Sequence, residues 1–111
     1  MEISNVYKIN FNDALILLND IGINNCIIID SRSNFDFNKG HLEGAVNIDA
    51  KNNFSLINLH KYLSQKFIFI YCEYNIRSEI IVSQLMKLKY MGLIYFISEG
   101  FSKYWNSGNT K

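Results

Sequence analysis

Cys72 closes the apolar run Phe67-Ile68-Phe69-Ile70-Tyr71, and after Glu73-Tyr74-Asn75-Ile76 come Arg77 and Ser78. Beyond them Ile81, Leu85 and Leu88 fall at the i, i+4, i+7 spacing of a helix face. A buried strand, a short turn and a helix therefore place Cys72 at a helix N-terminus. Backbone N–H groups and the positive end of the helix dipole favour a thiolate there. The thiolate is the nucleophilic form, and a free cysteine, with a pKa of about 8.5, supplies little of it at neutral pH. Cys72 is thus a candidate nucleophile.

The basic residues sharpen this reading. Of 11 lysines and arginines only two are arginine, Arg32 and Arg77, in a chain whose Asn- and Ile-rich composition suggests an AT-rich coding sequence that supplies lysine instead. Lysine is a point charge, whereas arginine offers a rigid donor fork to oxyanions and carboxylates. One arginine closes the Cys72 loop; the other sits in Asp30-Ser31-Arg32 after a second apolar run. Two surface arginines placed by chance are the bland alternative.

At 111 residues the chain is expected to form one domain, residues 1–111, large enough to bury a core without staples. A net charge of +1 gives no long-range field for nucleic acid or an anionic membrane. No 18-residue apolar stretch predicts a membrane span. Met1-Glu2-Ile3-Ser4-Asn5 lacks the basic and apolar regions of a signal peptide, and two cysteines make no disulfide framework. A reducing cytoplasm is the expected setting. Cys26, at the start of Cys26-Ile27-Ile28-Ile29, reads as a small core hydrophobe. His41 and His60 lie too far apart for a local metal motif, so neither metal nor cofactor is expected.

The elements that must hold these residues alternate. Asn10 can cap a helix carrying Phe11, Leu15 and Leu18 and ending near Ile21-Gly22. Cys26 to Ile29, ending at Asp30, reads as a buried strand, and Ser33-Asn34-Phe35-Asp36 opens a short helix stopped by Gly40. Ala45 to Ile48 is a weak strand, and Phe54 to Leu63 has helical spacing. Phe67 to Tyr71 is the strongest strand. A helix is expected from about Ser78 to Lys89, then a strand at Leu93 to Ile97, and after Gly100 a last helical turn ending near Gly108. Such alternation predicts an α/β fold with βαβ units around a central parallel sheet of about five strands and helices on both faces. Ligands of such sheets bind beyond the carboxyl ends of the strands. Both Asp30-Ser31-Arg32 and the Cys72 loop leave carboxyl ends, so they can share one face.

With these residues placed, the chain resembles a single-domain rhodanese, a sulfurtransferase module, from about Ile27 to Gly108. Ile28-Ile29-Asp30-Ser31-Arg32 is similar to the family's strand ending in Asp-x-Arg. Gly40-His41-Leu42-Glu43-Gly44-Ala45-Val46-Asn47-Ile48 resembles its Gly-His-Ile-x-Gly-Ala-x-Asn-Ile segment. Ile70-Tyr71-Cys72 through Arg77-Ser78 resembles its active-site loop, and Gly100-Phe101 with Tyr104 and Trp105 its closing glycine-aromatic turn. The resemblance implies that Cys72 carries sulfur as a persulfide, in a nest of loop N–H groups from Glu73, Tyr74, Asn75, Ile76, Arg77 and Ser78 that also bind substrate. It further implies that Arg77 braces the loop or meets an anionic donor and that Ser78 adds a hydroxyl. Asp30 and Arg32 would support the site, and His41 would pack. The implied partners are a small sulfur donor or a persulfide-carrying protein, and a thiol or other thiophilic acceptor.

Three departures stand out. Asn75 replaces the usual mid-loop glycine, and Asn tolerates a left-handed backbone. Glu73 puts an acid beside the nucleophile, where its charge raises a thiol's pKa and repels small anions such as thiosulfate; replacing it by Gln or Arg is expected to raise thiosulfate turnover. Glu99 precedes Gly100 where a first glycine is usual, and Tyr104 takes the usual Trp slot. Three other functions compete with sulfur transfer: a non-catalytic binding or redox-sensing module, phosphatase chemistry, and a thiol pair with Cys26. Related phosphatases of this fold have one more residue between cysteine and arginine, and no Cys-x-x-Cys spacing exists here.

Overall fold

The computed structural model describes residues 5–107; Met1 to Ser4, and the expected end of the last helix at Gly108, lie outside the described residues. Five strands form one parallel sheet: β1 (Val6–Ile9), β2 (Cys26–Asp30), β3 (Val46–Asn47), β4 (Phe67–Tyr71) and β5 (Leu93–Ile97), in the order β1-β5-β4-β2-β3. Helices α1 (Phe11–Ile21), α2 (Asn34–Lys39), α3 (Asn53–Leu56), α4 (Ile76–Lys87) and α5 (Phe101–Asn106) connect and cover them.

The unbroken apolar runs of β2 and β4 follow from burial on both faces. Alternate residues point to opposite sides. Ile29, Ile68, Ile70 and Ile94 pack with Ile81 and Leu85 of α4, while Ile28, Phe69, Tyr71 and Ile97 pack with Phe11 and Leu18 of α1 and Phe101 and Tyr104 of α5. Helices therefore lie on both faces, as the alternation predicts. Asn10 caps α1 as expected, its Oδ1 accepting the Asp13 amide at 2.8 Å. Glu99 adds a second tie by accepting the Phe11 amide at 3.1 Å. Ser33 caps α2, and Gly40 ends it.

Sequence and structure part at three places. Strand β1 has no counterpart in the sequence reading: Tyr7 and Lys8 are exposed, and pairing with β5 defines it. The segment Phe54 to Leu63 winds as the short α3 and then a tighter 3₁₀ stretch, Ile57–Tyr62. Helix α4 starts at Ile76, two residues before the expected Ser78, because Asn75 turns the chain in a left-handed conformation (φ 71°) and its carbonyl accepts the Glu79 amide at 2.9 Å. Arg77 and Ser78 thus stand on the first helical turn.

Candidate active site

Cys72 follows the last residue of β4 and is only 1% exposed, at the floor of a cleft of about 540 Å3. The backbone on either side of it is fixed. Tyr71 O accepts both the amide and the hydroxyl of Ser31, at 3.0 and 2.9 Å, and Cys72 O accepts the Phe101 amide at 3.1 Å. The sulfur accepts the Ser78 amide at 3.4 Å, from the first turn of α4. This donor and the α4 dipole both favour negative charge on sulfur.

Ser78 meets the sulfur through its amide, and its hydroxyl, at the start of α4, meets Ser31. Ser31 Oγ has one proton, which it gives to Tyr71 O; across the 3.1 Å contact between the two hydroxyls Ser78 must then be the donor. Both serines are fully buried. The chain Ser78 to Ser31 to Tyr71 O locks the start of α4 to the ends of β2 and β4.

Asp30 and Arg32, beyond the carboxyl end of β2, form a buried ion pair. Arg32 donates to Asp30 through Nε at 3.0 Å and Nη2 at 2.8 Å, and Nη2 also reaches Gly40 O at 2.6 Å. Its guanidinium lies 4.3 Å over the Phe101 ring. Burial pulls the Arg32 pKa down, but hydrogen bonding and charge from Asp30 outweigh it and leave it raised. Burial, reinforced by Asp30, holds the Tyr71 phenol far above its ordinary value, and that hydroxyl accepts the Leu42 amide at 3.0 Å. His41 packs as expected: its ring stacks on Phe37 at 3.7 Å and Nδ1 lies 2.8 Å from Phe37 O.

The other loop residues divide. Arg77 lines the cleft and pairs with Asp49, Nη1 to Oδ1 at 2.6 Å, bracing α4 against the segment after β3. Tyr74 and Ile76 are 83% and 60% exposed at the mouth. Asn75 supplies the left-handed turn. Glu73 corrects the sequence reading: its carboxylate turns to α5, accepting the Ser102 amide at 2.8 Å and the Ser102 hydroxyl at 2.6 Å. Its charge is thus shared with a helix start and is not aimed at the sulfur. Gly100 permits this approach, since a Cβ there would sit 2.6 Å from Glu73 O.

Asp49, Ser31 and Ser102 were missed by sequence reasoning. Only Ser31 carried a signal, by lying between Asp30 and Arg32. Cys26 sits level with Phe67, five residues before Cys72 along the parallel pair, which separates the two thiols by about 16 Å. Burial raises its pKa, and no thiol pair can form. Among the described residues no group of three His, Cys, Asp or Glu side chains could hold a metal, and no helix is long and apolar enough to cross a membrane.

A parallel sheet with a cysteine loop at its carboxyl edge, leading into a helix, defines a class of α/β domains. The rhodanese-like domain model matches residues 13–107, and the chain belongs to that family. No curated protein matches it. Among solved structures it is similar to an uncharacterized protein from Saccharomyces cerevisiae (TM-score 0.76, 14% identity, covering 95% of this chain and 94% of that one). A Rhodopseudomonas palustris protein described as a possible tyrosine phosphatase gives TM-score 0.65, with 18% identity over 95% of this chain and 83% of the other. SseA of Escherichia coli, described with the rhodanese fold and catalytic mechanism of 3-mercaptopyruvate sulfotransferases, gives 0.61, with 19% identity over 83% of this chain and 40% of its own. At these identities the likeness is one of fold.

Proposed function

We propose that the chain is a rhodanese-type sulfurtransferase. Cys72 would carry sulfane sulfur as a persulfide from a thiosulfate- or persulfide-type donor to a thiol or other thiophilic acceptor. The observation that carries this reading is Cys72 Sγ at the cleft floor with the Ser78 amide on it. In the first step the Cys72 thiolate attacks the donor's outer sulfur. The donor's S–S or S–SO3 bond breaks, and its electron pair leaves on a thiolate or on sulfite. In the second step the acceptor attacks the terminal sulfur, and the Cys72 thiolate leaves with the bonding pair. A reducing cytoplasm, which keeps Cys72 free, is the setting that suits this cycle.

Four residues between cysteine and arginine favour a single sulfur over a tetrahedral phosphate, and Arg77 Nη1 is taken up by Asp49. The low exposure of Cys72 is the one observation that favours a non-catalytic or redox-sensing module instead. Mass spectrometry after exposure to thiosulfate or a small persulfide decides between them. A gain of one sulfur on Cys72, absent in Cys72→Ser and kept in Cys26→Ser, is the expected result; no gain from any donor would overturn sulfur transfer.

A further inference from the structure

Resting on the sulfur-transfer reading, we infer that Ser31 is a positioning residue for the reaction: through Ser78, its hydroxyl aims the amide that meets Cys72 Sγ. The segment Asp30-Ser31-Arg32 leaves the carboxyl end of β2 and sends its side chains to two helices. Arg32, paired with Asp30, lies over Phe101 of α5. Ser31 serves α4. Its Oγ donates to Tyr71 O at 2.9 Å and accepts the Ser78 hydroxyl at 3.1 Å. Its amide donates to the same Tyr71 O at 3.0 Å, and its carbonyl accepts the Ala50 amide at 3.3 Å. One residue therefore ties together the end of β4, the start of α4 and the segment beyond β3, and the β4 residue it holds is the neighbour of Cys72.

The consequence falls on the sulfur. The first amides of a helix have no partner within it, and that of Ser78, in the first turn of α4, meets Sγ at 3.4 Å. Such a bond weakens steeply as donor and acceptor lose alignment. The amide nitrogen and the Cβ of Ser78 share one Cα, so anchoring the hydroxyl anchors the amide. Two tethers hold this turn. The Arg77 pair with Asp49 is partly exposed, and solvent weakens it. The Ser78 bond to Ser31 is fully buried, and a hydroxyl deprived of its partner there cannot turn to bulk water. The buried tether is the stiffer of the two, and it acts on the very residue whose amide touches the sulfur.

Two variants test this. Each is read by the pH at which alkylation of Cys72 by iodoacetamide reaches half its maximal rate, the modified peptide being identified by mass spectrometry. Ser31→Ala removes the acceptor. Ser78→Ala removes the donor, keeps the amide and puts the best helix former into the first turn of α4. Neither variant takes a charge from the cleft, where Arg32, Asp36, Lys39, Lys51, Glu73 and Arg77 all remain. Both are expected to raise that pH by about one unit, because a hydrogen bond to the thiolate favours the charged form. The double variant should raise it no further, because all three lose one and the same interaction. Unchanged midpoints, with or without a loss of stability, would overturn the inference and leave Ser31 a packing residue. A rise in Ser31→Ala alone would also overturn it, since Ser31 would then act through Tyr71 O; so would rises that add. If Ser31→Ala does not fold, Ser78→Ala decides: a raised midpoint supports the tether and an unchanged one sinks it. Alkylation needs no sulfur donor, so the two readings fail separately. Raised midpoints in a protein that no donor loads would refute sulfur transfer and keep the tether, and normal loading with unmoved midpoints would do the reverse.

Discussion

The Glu73 carboxylate caps the helix that closes the site: both its oxygens bond to Ser102, at 2.8 Å to the amide and 2.6 Å to the hydroxyl. The adjoining Phe101 amide holds Cys72 O. Loop and α5 are thus joined at two consecutive residues on each side. An acid next to the nucleophile reads in the sequence as a repulsive charge, yet in the fold it is a capping group. Glu73→Gln, which keeps an acceptor for the amide, should change thiosulfate kcat/KM by less than about twofold. Glu73→Ala should cost about 1 kcal/mol of stability, as the loss of a cap does, and slow loading of Cys72. Glu73→Arg should behave like the alanine variant, against the gain expected from charge alone. Urea unfolding and thiosulfate turnover of the three variants check this.

Arg77 and Asp49 form the second brace. The pair is partly exposed, so its direct worth is of the order of 0.2–1 kcal/mol; its importance lies in fixing the start of α4, which presents the Ser78 amide. Arg77→Lys retains the charge but not the planar fork, and turnover should fall several-fold. Asp49→Asn should reproduce much of that loss. In the double variant the two losses should not add, because both remove one interaction. Wild-type turnover in Arg77→Lys would reduce Arg77 to a surface charge.

What was legible depended on how far apart the causes lie. Strands β2 and β4 show themselves because nearly every residue from Cys26 to Asp30 and from Phe67 to Tyr71 is buried, leaving an uninterrupted apolar run. Asn10 and Ser33 announce their caps because donor and acceptor are three residues apart. Strand β1 hides because its middle residues face solvent and its partner β5 lies far along the chain. The same distance concealed the site's electrostatics. Glu73 and Ser102 are separated by 29 positions and Arg77 and Asp49 by 28. The carboxylates were visible, but the groups that satisfy them come from other elements. The place of Cys72 between a strand and a helix was readable because that strand, turn and helix are contiguous.

Tyr90 gives a pH test of the core behind the sheet. Burial pushes its phenol up to about 12, and its hydroxyl donates to Gln65 O at 2.7 Å. An unfolded tyrosine titrates near about 10. Above that pH the unfolded chain binds fewer protons than the folded one, so stability falls with rising pH. The contribution is complete below about pH 10 and is lost as pH climbs through about 12. Tyr90→Phe should be less stable at pH 9, lacking the hydrogen bond, but should decline less steeply between pH 10 and 12. Parallel slopes for the two proteins would show that Tyr90 ionises alike folded and unfolded.

Asn75 links backbone geometry to chemistry. With φ 71° and ψ −25° it occupies the left-handed region, which costs most L-residues roughly 1–2 kcal/mol and which Asn and Gly enter more readily. Its carbonyl also begins the hydrogen bonding of α4 through Glu79. The turn therefore sets where the first helical turn starts, and with it the 3.4 Å approach of the Ser78 amide to Cys72 Sγ. Asn75→Gly should leave stability within about 0.5 kcal/mol, since glycine takes this conformation freely but gains more freedom when unfolded. Asn75→Val should lose about 1–2 kcal/mol. It should also slow sulfur loading of Cys72 by about tenfold, because a relaxed turn withdraws the amide from the sulfur. Thermal unfolding and loading kinetics on the same preparations separate the two effects. If the valine variant is destabilised yet loads sulfur at the wild-type rate, the turn serves the fold alone and the Ser78 amide does not depend on it.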